Sequence, residues 1–565
     1  MRVFFQRAHG DGYGSLYRDY TGDFGRVQSL FNYDPGAFSS YSRRLAALKE
    51  SPAYAALRPG HRESAAALLD LNRALGADPA ALKNLELLAS GAAVAVVAGQ
   101  QACLALGPLF VAFKAAAAIK LAERAQAELG HPVVPLFWVA SEDHDYDEIS
   151  RITVLDGEHL VDLALPAAGA PRRSVGHTPI PREAAGLLEE LAARTGQWLA
   201  GAGQAGGAAR EQGAEALALA EAARASSSSL AEWFERLLLA LFSRRGLAVV
   251  DPMCPALRRL AAPVVKGALA AGSALAAEVR RGALDLVRAG HRAVLDLEDD
   301  HSCLFAYIDG ERTALHWRDG RLYGRRGEAG WLPEDALAAL AADAGRFSPN
   351  AALRPIVQEH LVPVLAAVCG PSELSYASQL RGVFRAFGLE MPPLYPRLSL
   401  TLVEPEHTAT LAELGLSPQD LQAGSNGLAA AHLATRGGGQ LQALFSAERE
   451  AVAARHGALV RAVAQLGVDL DDLGPQNVER ILGQYAYLEH KATQRHRQQH
   501  AQPLRRLAAV HAALYPHGRQ QEKGLAFLPF FIRHGPDLVD MLTDDAPLAG
   551  EHHFCYLGGR PAGAG

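Results

Sequence analysis

The segment from Val94 to Glu148 constrains the fold of this chain more than any other part of it. A short apolar run ends in Gly99-Gln100-Gln101, a turn follows at Gly107-Pro108, and a long apolar-periodic segment leads to a second apolar run over 133–140. Strand, glycine turn, helix and strand in this order predict a βαβ unit. Ligands of such units bind at the carboxyl ends of the strands, where both polar clusters of this segment fall. The segment therefore predicts a binding site as well as a fold.

Composition and charge narrow the classes of protein to which this chain can belong. With 565 residues, 49% of them hydrophobic and 21% charged, it is expected to form a globular protein of two or three domains. A net charge of −6 without a long basic run disfavours nucleic-acid binding, and no apolar stretch approaches the roughly 18 residues of a membrane span. The five cysteines have no metal-binding spacing, which favours reduced thiols and no metal centre. The short apolar run at the amino terminus does not suit a secretory signal, so we expect a cytoplasmic protein.

The periodicity of apolar residues and the position of turn residues divide the chain into four predicted regions. Helical spacing marks the first and the third region, and strand patterns are concentrated in the second. The regions are a helical segment over 1–90 that packs on the core, the core itself with insertions over 91–404, a domain of long helices over 405–512, and a segment over 513–565 that returns to the core.

Within the core region the sequence predicts further strands and two insertions. Leu247–Val250 is expected to be a short strand whose end, Asp251, adds a third acid to the same sheet edge. Before it, a strand pair is predicted over 152–165, with a turn at Asp156-Gly157, and a low-complexity stretch over about 166–229, with a flexible segment at 201–207. After it, an antiparallel meander is predicted over about 291–325, with turns at Asp309-Gly310 and Asp319-Gly320. The core region is then expected to end in a helical region over 351–387, interrupted at 369–371, and an extended segment over 392–403.

Several residues predict where helices begin, end or pack. Ser229 is expected to cap a helix that Gly246 ends, and Gly437–Gly439 is expected to form a loop between helices. Breaks are predicted at Pro52, Pro59 and Pro79, and an apolar stripe at helical spacing predicts helix-to-helix packing through Val478, Leu482, Tyr485, Leu488 and Ala492.

The turn after the first strand of the βαβ unit is a candidate anion site. Gly99 permits a tight turn, the amides of Gln100 and Gln101 add donors, and a helix start faces the same space. Lys114 lies about two turns into the helix and would reach a bound phosphate only by pointing back toward the turn. A purely structural turn is an equally good interpretation of this pattern.

The acidic cluster after the second strand is the stronger candidate. Five carboxylates and His144 fall within Glu142–Glu148, where they could hold a substrate ammonium group, bind Mg²⁺ with ATP, or supply a general base. Charge runs are usually solvated loops, but this one directly follows a fully apolar strand and is therefore fixed at the sheet edge. Asp143 and His144 are the first choices, with Glu142 third, whereas Asp147 and Glu148 are expected to face water.

Two later segments combine polar residues with prolines. Asn350 precedes Arg354, which could grip a carboxylate or phosphate bidentately or could satisfy loop carbonyls. Glu373, Tyr376 and Gln379 fall on or near one face of a helix that opens at Gly370, with a capping role for Ser372 as the structural alternative. The basic residues between 491 and 506 are expected to be a solvated helix face.

These motifs, taken in order over nearly the full chain, resemble those of the bacillithiol biosynthesis cysteine-adding enzymes. The resemblance rests on 99–101 through Lys114, on 137–145, on 347–355, on 370–379 with 396–399, and on Gln521-Glu522-Lys523. The chain departs from the family pattern at four positions, where glycine, tyrosine, glycine and arginine are expected: they are Cys103, Phe110, Ser141 and Lys523.

The resemblance implies both a fold and a reaction. The implied fold is a Rossmann-like, nucleotidyl-transferase-type core with connecting-peptide insertions and an α-helical coiled-coil domain through which a homodimer forms. The implied reaction joins L-cysteine to the amino group of glucosaminyl malate. Because forming an amide from a free carboxylate is unfavourable in water, the reaction is expected to use ATP, with Mg²⁺ as a further candidate.

The resemblance and the side-chain chemistry together assign provisional roles. Asp143, His144 and Glu142 are the catalytic candidates, and Arg354 and Arg397 are the candidates for the malate carboxylates. The full set of expected nucleotide- or substrate-binding residues is Gly99, Gln100, Gln101, Gly107, Pro108, Lys114, Asp145, Asn350, Arg354, Glu373, Tyr376, Gln379 and Arg397. Two other functions stay open: a different ATP-dependent amino-acid ligase or aminoacyl transferase on the same core, and a non-enzymatic coiled-coil interaction protein.

Overall fold

The computed structural model describes residues 1–8, 13–157, 159–167, 173–201, 207–325, 327, 330–548 and 550–561. The chain forms two compact units. The larger unit contains Met1–Asp156, Leu160–Leu402 and Gln521–Arg560, and the smaller one consists mainly of Val403–Gln520. Most of the glycine-rich segment predicted to be flexible, 202–206, lies outside the described residues.

The N-terminal region is helical after a short initial strand. Its elements are β1 (Val3–Arg7), α1 (Ser15–Gly22), α2 (Phe38–Glu50), α3 (Pro52–Leu75) and α4 (Pro79–Ala89). Pro52 and Pro79 open helices as predicted, because proline at the first position sacrifices no intrahelical hydrogen bond. The break predicted at Pro59 is wrong, since α3 continues through it with Tyr54 and Leu68 buried on either side.

The βαβ unit forms as predicted and is the centre of the larger unit. It consists of β2 (Val94–Gln100), α5 (Leu109–Leu129) and β3 (Val133–Val139), and the two strands pair in parallel from Val94↔Val133 to Gln100↔Val139. β3 is buried along its whole length and β2 along its first five residues, because the sheet is covered on both faces.

Helices and a hairpin occupy the chain between β3 and the next core strand. The predicted strand pair is present, and Ser229 caps its helix by accepting from the Glu232 amide at 3.2 Å. Two helices, α7 and α8, stand where only low complexity was predicted. The elements are α6 (Tyr146–Ile149), β4 (Arg151–Asp156), β5 (His159–Ala164), α7 (Ala184–Gly201), α8 (Gly207–Ala225), α9 (Leu230–Phe242) and β6 (Ala248–Val250).

An antiparallel sheet follows, as the Asp-Gly turns predicted. Its strand order is β10-β7-β8-β9, and Asp309 and Asp319 occupy left-handed positions in the turns, at φ 51° and 48°. Regular strand structure begins at His301, later than the predicted start of the meander. The elements here are α10 (Pro255–Ala271), α11 (Ala274–Arg288), β7 (His301–Ile308), β8 (Glu311–Arg318), β9 (Arg321–Gly324), α12 (Pro333–Ala342) and β10 (Phe347–Pro349).

The chain then returns to the parallel sheet. The prediction of a helical region over 351–387, interrupted only at 369–371, is wrong at Val364–Cys369, which forms a buried strand beside β2. The elements are α13 (Arg354–Leu361), β11 (Val364–Cys369), α14 (Pro371–Ala377), α15 (Arg381–Ala386), β12 (Leu394–Pro396) and β13 (Ser399–Val403). The parallel order is therefore β12-β11-β2-β3-β6, and the direction of strand succession reverses between β2 and β11.

The smaller unit is built of helices. Its long pair, α18 and α19, is antiparallel, because His456 bonds to Asn477 while Arg449 pairs with Glu489. The predicted apolar stripe of α19 is half-buried except at Leu488, which is 57% exposed. The loop predicted at Gly437–Gly439 is wrong: Gly437 at φ 104° permits a kinked helical turn instead. The helices are α16 (Pro405–Leu414), α17 (Ser425–Leu433), α18 (Gly439–Gln465), α19 (Leu473–Gln499) and α20 (Ala501–Leu514).

The C-terminal segment closes the larger unit. Its elements are α21 (Gln521–Gly524), α22 (Phe527–His534), α23 (Pro536–Asp540) and β14 (His552–Leu557). Within this segment, which was predicted to return to the core, the apolar residues of α22 are buried, and β14 lies between β1 and β13. Over the described part of the chain, no single helix has the length and apolarity of a membrane span; only α10 and α11 meet that test together, as a pair bent by 83°.

Two buried histidines make the stability of the larger unit sensitive to acid. Burial lowers the pKa of His61 and of His552 from 6.5 to about 4. Between those values the unfolded chain binds more protons, so the free energy of unfolding falls as the pH falls, by up to ~3 kcal/mol for each histidine. We expect a lower urea midpoint at pH 5 than at pH 7, with a smaller difference in His552→Gln. The exposed His490→Gln control should keep the full difference, and an equal difference in both variants would contradict this account.

Candidate active site

A cavity lies at the carboxyl ends of β2, β3 and β11 in the parallel sheet. It has a volume of about 480 Å³, within the range of small-molecule sites. The reversal of strand order between β2 and β11 is the position at which open α/β sheets bind ligands. We call it the strand-end cavity; its lining includes Gly99, Gln100, Gln101, Glu142, Asp143, His144, Asn350, Arg354, Glu373 and Tyr376.

Lys114 supports one wall of this cavity from behind. Its buried ammonium points back toward the turn, donating to the Gly99 carbonyl and to Gln100 Oε1, both at 2.8 Å. It also pairs with Glu373 Oε2 at 2.5 Å. Burial lowers the pKa of Lys114, an effect that the Glu373 carboxylate opposes. Lys114 thus fixes Gln100 and Glu373 in position and does not itself line the cavity.

Asp143 is a carboxylate that is both held in place and accessible. Its Oδ2 accepts from Gln101 Nε2 at 2.7 Å and its Oδ1 from the His144 amide at 2.7 Å. Gln101 Nε2 also donates to Glu148 Oε2 at 3.0 Å, so this otherwise exposed acid helps to orient the amide. The Asp143 side chain remains 32% exposed at the cavity. An oriented, accessible carboxylate of this kind is suited to binding an ammonium group or to accepting its proton.

The contact between His144 and Arg312 defines the protonation of the histidine ring. Arg312 Nη1 lies 3.2 Å from His144 Nδ1. A guanidinium can only donate hydrogen bonds, so Nδ1 accepts and a neutral ring carries its proton on Nε2. The 3.9 Å from Nδ1 to Asp143 Oδ1 is too long for a competing hydrogen bond. His144 therefore offers an N–H donor next to the acceptor Asp143.

The two other strand-end acids are neutralised or buried. Glu142, predicted to be catalytic, pairs with the buried guanidinium of Arg258 at 2.8 Å, which leaves it less available as a base than Asp143. Asp251 accepts from the Met253 amide at 2.8 Å and from the hydroxyl of Ser141, and burial raises its pKa. Ser141, which stands where the family pattern has glycine, thus uses its hydroxyl to hold Asp251.

Arg354 and Tyr376 form the opposite side of the cavity. Arg354 Nη2 donates to Tyr376 Oη at 2.7 Å, and burial raises the pKa of Tyr376 to about 12. Asn350 holds the turn that precedes α13, since its Oδ1 accepts from the amides of Ala352 and Leu353 at 3.0 Å. All three residues line the cavity as predicted, with Arg354 oriented by a phenol.

Besides Lys114, five predicted binding residues do not line the cavity, because the protein uses polar groups at these positions itself. The Gly107 carbonyl accepts from Phe527, and Pro108 precedes a helix start whose first amide donates to Leu525. The others are Asp145, which caps α6; Gln379, whose amide bonds to the backbone of Val294 and Leu295; and Arg397, whose guanidinium pairs with Glu522 at 2.6 Å.

Sequence reasoning missed the contribution of the meander. Leu297, His301, Phe305 and Arg312 all line the strand-end cavity. Arg312 donates to Ser348 Oγ at 2.9 Å and to the Pro349 carbonyl at 2.8 Å, and lies 3.9 Å over the Phe305 ring. An arginine two residues after the Asp309-Gly310 turn was the available signal, but the pattern does not reveal which surface that strand faces.

One group of side chains has the composition of a cation site. Glu298, Asp300 and His316 place ligand atoms within 4.8 Å of one another. His316 Nδ1 already bonds to Asp300 Oδ1 at 2.8 Å, and Glu298 is exposed. Their arrangement is explained by these contacts alone.

Gly99 is the position at which a side chain would most directly disturb the strand-end cavity. A Cβ there would lie 3.1 Å from the Trp138 carbonyl oxygen and 3.3 Å from its Cβ. We expect Gly99→Val to lower the free energy of unfolding by about 1–3 kcal/mol through overpacking and to reduce ligand binding. Gly60→Ala, at a helical site with no neighbour within 4 Å, is the control. Calorimetry of both variants tests this, and equal melting temperatures would contradict it.

Comparison with known proteins connects this geometry to a family. Bacillithiol biosynthesis BshC, N-terminal Rossmann-like domain, matches residues 6–398, and its C-terminal coiled-coil domain matches residues 400–557. The candidate cysteine ligase BshC of Symbiobacterium thermophilum is 36% identical over 95% of this chain and 97% of its own length. The corresponding proteins of Desulforamulus reducens and Heliobacterium modesticaldum are 30% and 31% identical over 92% and 96% of this chain. The expected Rossmann-like core and coiled-coil domain are thereby confirmed.

Proposed function

The chain belongs to the BshC family of bacillithiol biosynthesis proteins, and on that basis we propose that it is a ligase that joins L-cysteine to the amino group of glucosaminyl malate. The observation that carries the proposal is the pairing of an oriented carboxylate, Asp143, with an N–H donor, His144, at the ligand-binding edge of the sheet. Amide synthesis from an amine needs a proton acceptor for the nucleophile and a donor for the oxygen that gains charge.

ATP supplies the activation that a free carboxylate needs. In this proposal an oxygen of the cysteine carboxylate attacks a phosphorus atom of ATP, a phosphoanhydride bond of ATP breaks, ADP or pyrophosphate leaves, and a mixed anhydride of cysteine remains. The acceptor nitrogen then forms the new C–N bond, the C–O bond to the phosphoryl group breaks, and the nitrogen loses a proton to Asp143. Mg²⁺ would accompany the nucleotide, and Glu148 offers a carboxylate oxygen of the kind that this ion prefers.

The quaternary structure is part of the same proposal. We propose a homodimer formed through the long helices, supported by the large apolar side chains that α18 and α19 expose. Leu444, Leu459 and Leu488 are 61%, 62% and 57% exposed. We propose that the reaction takes place in the cytoplasm, because ATP is available there and the five cysteines, all among the described residues, form no disulfide.

Two alternatives differ from this proposal in measurable ways. A different ATP-dependent amino-acid ligase on the same core would be stabilised by another amino acid in a thermal-shift screen. A non-enzymatic coiled-coil protein would be insensitive to changes at Asp143, and the shaped strand-end cavity argues against it.

The proposal is tested in cells by measuring low-molecular-weight thiols. A bacterial strain that lacks its own cysteine-adding step is compared with and without this chain by mass spectrometry. The expected result is that bacillithiol reappears while glucosaminyl malate falls. A soluble, well-expressed protein that leaves glucosaminyl malate unchanged would overturn the assigned substrate and favour the amino-acid ligase alternative.

A further inference from the structure

A second cavity adjoins the strand-end cavity on the side of the meander. It has a volume of about 710 Å³ and is lined mainly by β7, β8 and the segment that precedes them. We call it the meander cavity. The two cavities share five lining residues, so a molecule bound in one would meet a molecule bound in the other across a common wall made of His144, Leu297, His301, Phe305 and Arg312.

Arg312 in this common wall is a buried cation that forms no direct ion pair with a carboxylate of the described residues, although the charges of Glu142 and Asp143 favour its protonated form from further away. Three other buried arginines of the larger unit, Arg44, Arg258 and Arg397, each pair directly with a glutamate. Arg312 is 9% exposed and donates to a hydroxyl, a carbonyl and an imidazole, and no carboxylate of the described residues forms an ion pair with it. Burial lowers its pKa, yet a guanidinium stays protonated in proteins.

A buried cation without a direct ion pair indicates the kind of group that would bind there. Burying a cation is costly unless an anion and hydrogen bonds compensate it. Three of the five guanidinium N–H groups are used, which leaves two for an acceptor. A carboxylate suits this arrangement, since it can accept both.

The remaining walls of the meander cavity carry groups of both signs. Arg325 and Thr313 offer donors, and Asp296, Glu298 and Glu311 offer acceptors. Such a lining complements a ligand that has carboxylates, hydroxyls and an amine. Apart from the strand-end acids and the wall that Lys114 supports, the strand-end cavity has fewer charged side chains than the meander cavity.

We propose that the meander cavity is the acceptor subsite: it binds a hydroxylated, amine-bearing carboxylic acid, with a carboxylate on Arg312 and the amine directed past His144 to Asp143. This inference rests on the proposed function, because it assigns the second substrate of that ligase to a place. It also gives Arg312 two tasks, since the same guanidinium fixes the donor form of His144. The acceptor nitrogen would then enter the strand-end cavity from the side where the proton acceptor stands.

The first test compares two acceptors in Arg312 variants. Glucosamine has the amine but no carboxylate, and glucosaminyl malate has both. In Arg312→Met we expect the KM for glucosaminyl malate to rise about 10- to 100-fold, with little change in the KM for glucosamine or ATP. The turnover number should fall with both acceptors, because His144 loses its partner. Arg312→Lys, which keeps the charge but not the fork, should be intermediate. An increase in the KM for ATP instead would assign the anion to the nucleotide phosphates and overturn the proposal.

A second variant tests the subsite without changing Arg312, in case the Arg312 variants do not fold. Ala314 lines the meander cavity but not the strand-end cavity, so Ala314→Leu should raise the KM for glucosaminyl malate and leave the KM values for cysteine and ATP unchanged. Arg321→Ala, at an exposed position of the same sheet, is the control and should match the wild type. A wild-type KM for glucosaminyl malate in Ala314→Leu would overturn the subsite.

Direct binding separates this inference from the proposed function. Calorimetry measures glucosaminyl malate binding to the full chain without cysteine or ATP. If the wild-type protein binds glucosaminyl malate, Ala314→Leu weakens this binding, and the wild-type protein forms no amide, the subsite is supported while the ligase function fails. If the wild-type protein forms the amide, but neither Arg312→Met nor Ala314→Leu changes the affinity for glucosaminyl malate, the subsite alone is overturned.

Discussion

Asparagine in place of Asp143 is expected to slow amide formation by about 100- to 10,000-fold, the range associated with loss of a general base. Asparagine keeps the shape of the side chain and one oxygen acceptor, so the folded structure should persist. The measurement is the steady-state rate of product formation by mass spectrometry. Asp145→Asn is the matched control, because Asp145 caps α6 two residues later and does not line the cavity.

The same variant separates two roles for Asp143. If the carboxylate accepts the proton of the acceptor amine, cysteine-dependent turnover of ATP should continue in Asp143→Asn while amide formation stops. If it binds the cysteine ammonium group, the KM for cysteine should rise instead. A rate close to that of the wild type in both steps would remove Asp143 from the mechanism.

Loss of the Glu522 carboxylate is expected to give the largest change in stability. Glu522 pairs with Arg397 at 2.6 and 2.9 Å and accepts from Ser399 Oγ at 2.9 Å, all in the buried interior of the larger unit. Glu522→Gln leaves the Arg397 charge without a partner, so the free energy of unfolding should fall by about 3–5 kcal/mol. Urea denaturation measures the change.

Two comparisons show whether this effect arises from an uncompensated buried charge. Glu128→Gln removes one partner of the exposed ion pair with Arg124 and should change the free energy of unfolding by less than about 1 kcal/mol. The double variant Arg397→Leu with Glu522→Leu removes both charges and should be less damaging than Glu522→Gln. A single Glu522→Gln variant as stable as the Glu128→Gln control would contradict the account.

The sequence predicted the βαβ unit and the meander because their signals are local. An apolar run, a glycine turn and a helical period within 94–140 define the first, and Asp-Gly turns define the second. The sequence pattern predicts helix at β11, because a strand buried on both faces shows no alternation of apolar and polar residues. The alanines of β11 suit either structure. β1 was missed because its partner, β14, lies more than 500 residues later in the chain.

The site was predictable only in part, for a related reason. Strand ends gave Asp143, His144 and Gln101, because the carboxyl ends of parallel strands meet at one edge. Arg397 was assigned to a substrate because the glutamate that pairs with it, Glu522, is 125 residues away. No local pattern indicates a role for Arg312, since its approach to His144 depends on how the meander folds against the sheet.

The most direct test of the proposed ligase is amide formation by the purified chain. L-cysteine, glucosaminyl malate and ATP are supplied together and then with each one omitted, while mass spectrometry follows the amide and chromatography follows the nucleotide. We predict that the amide forms only in the complete mixture, with one ATP consumed for each amide formed. Failure of folded protein to produce the amide, or production at the same rate without ATP, would contradict it.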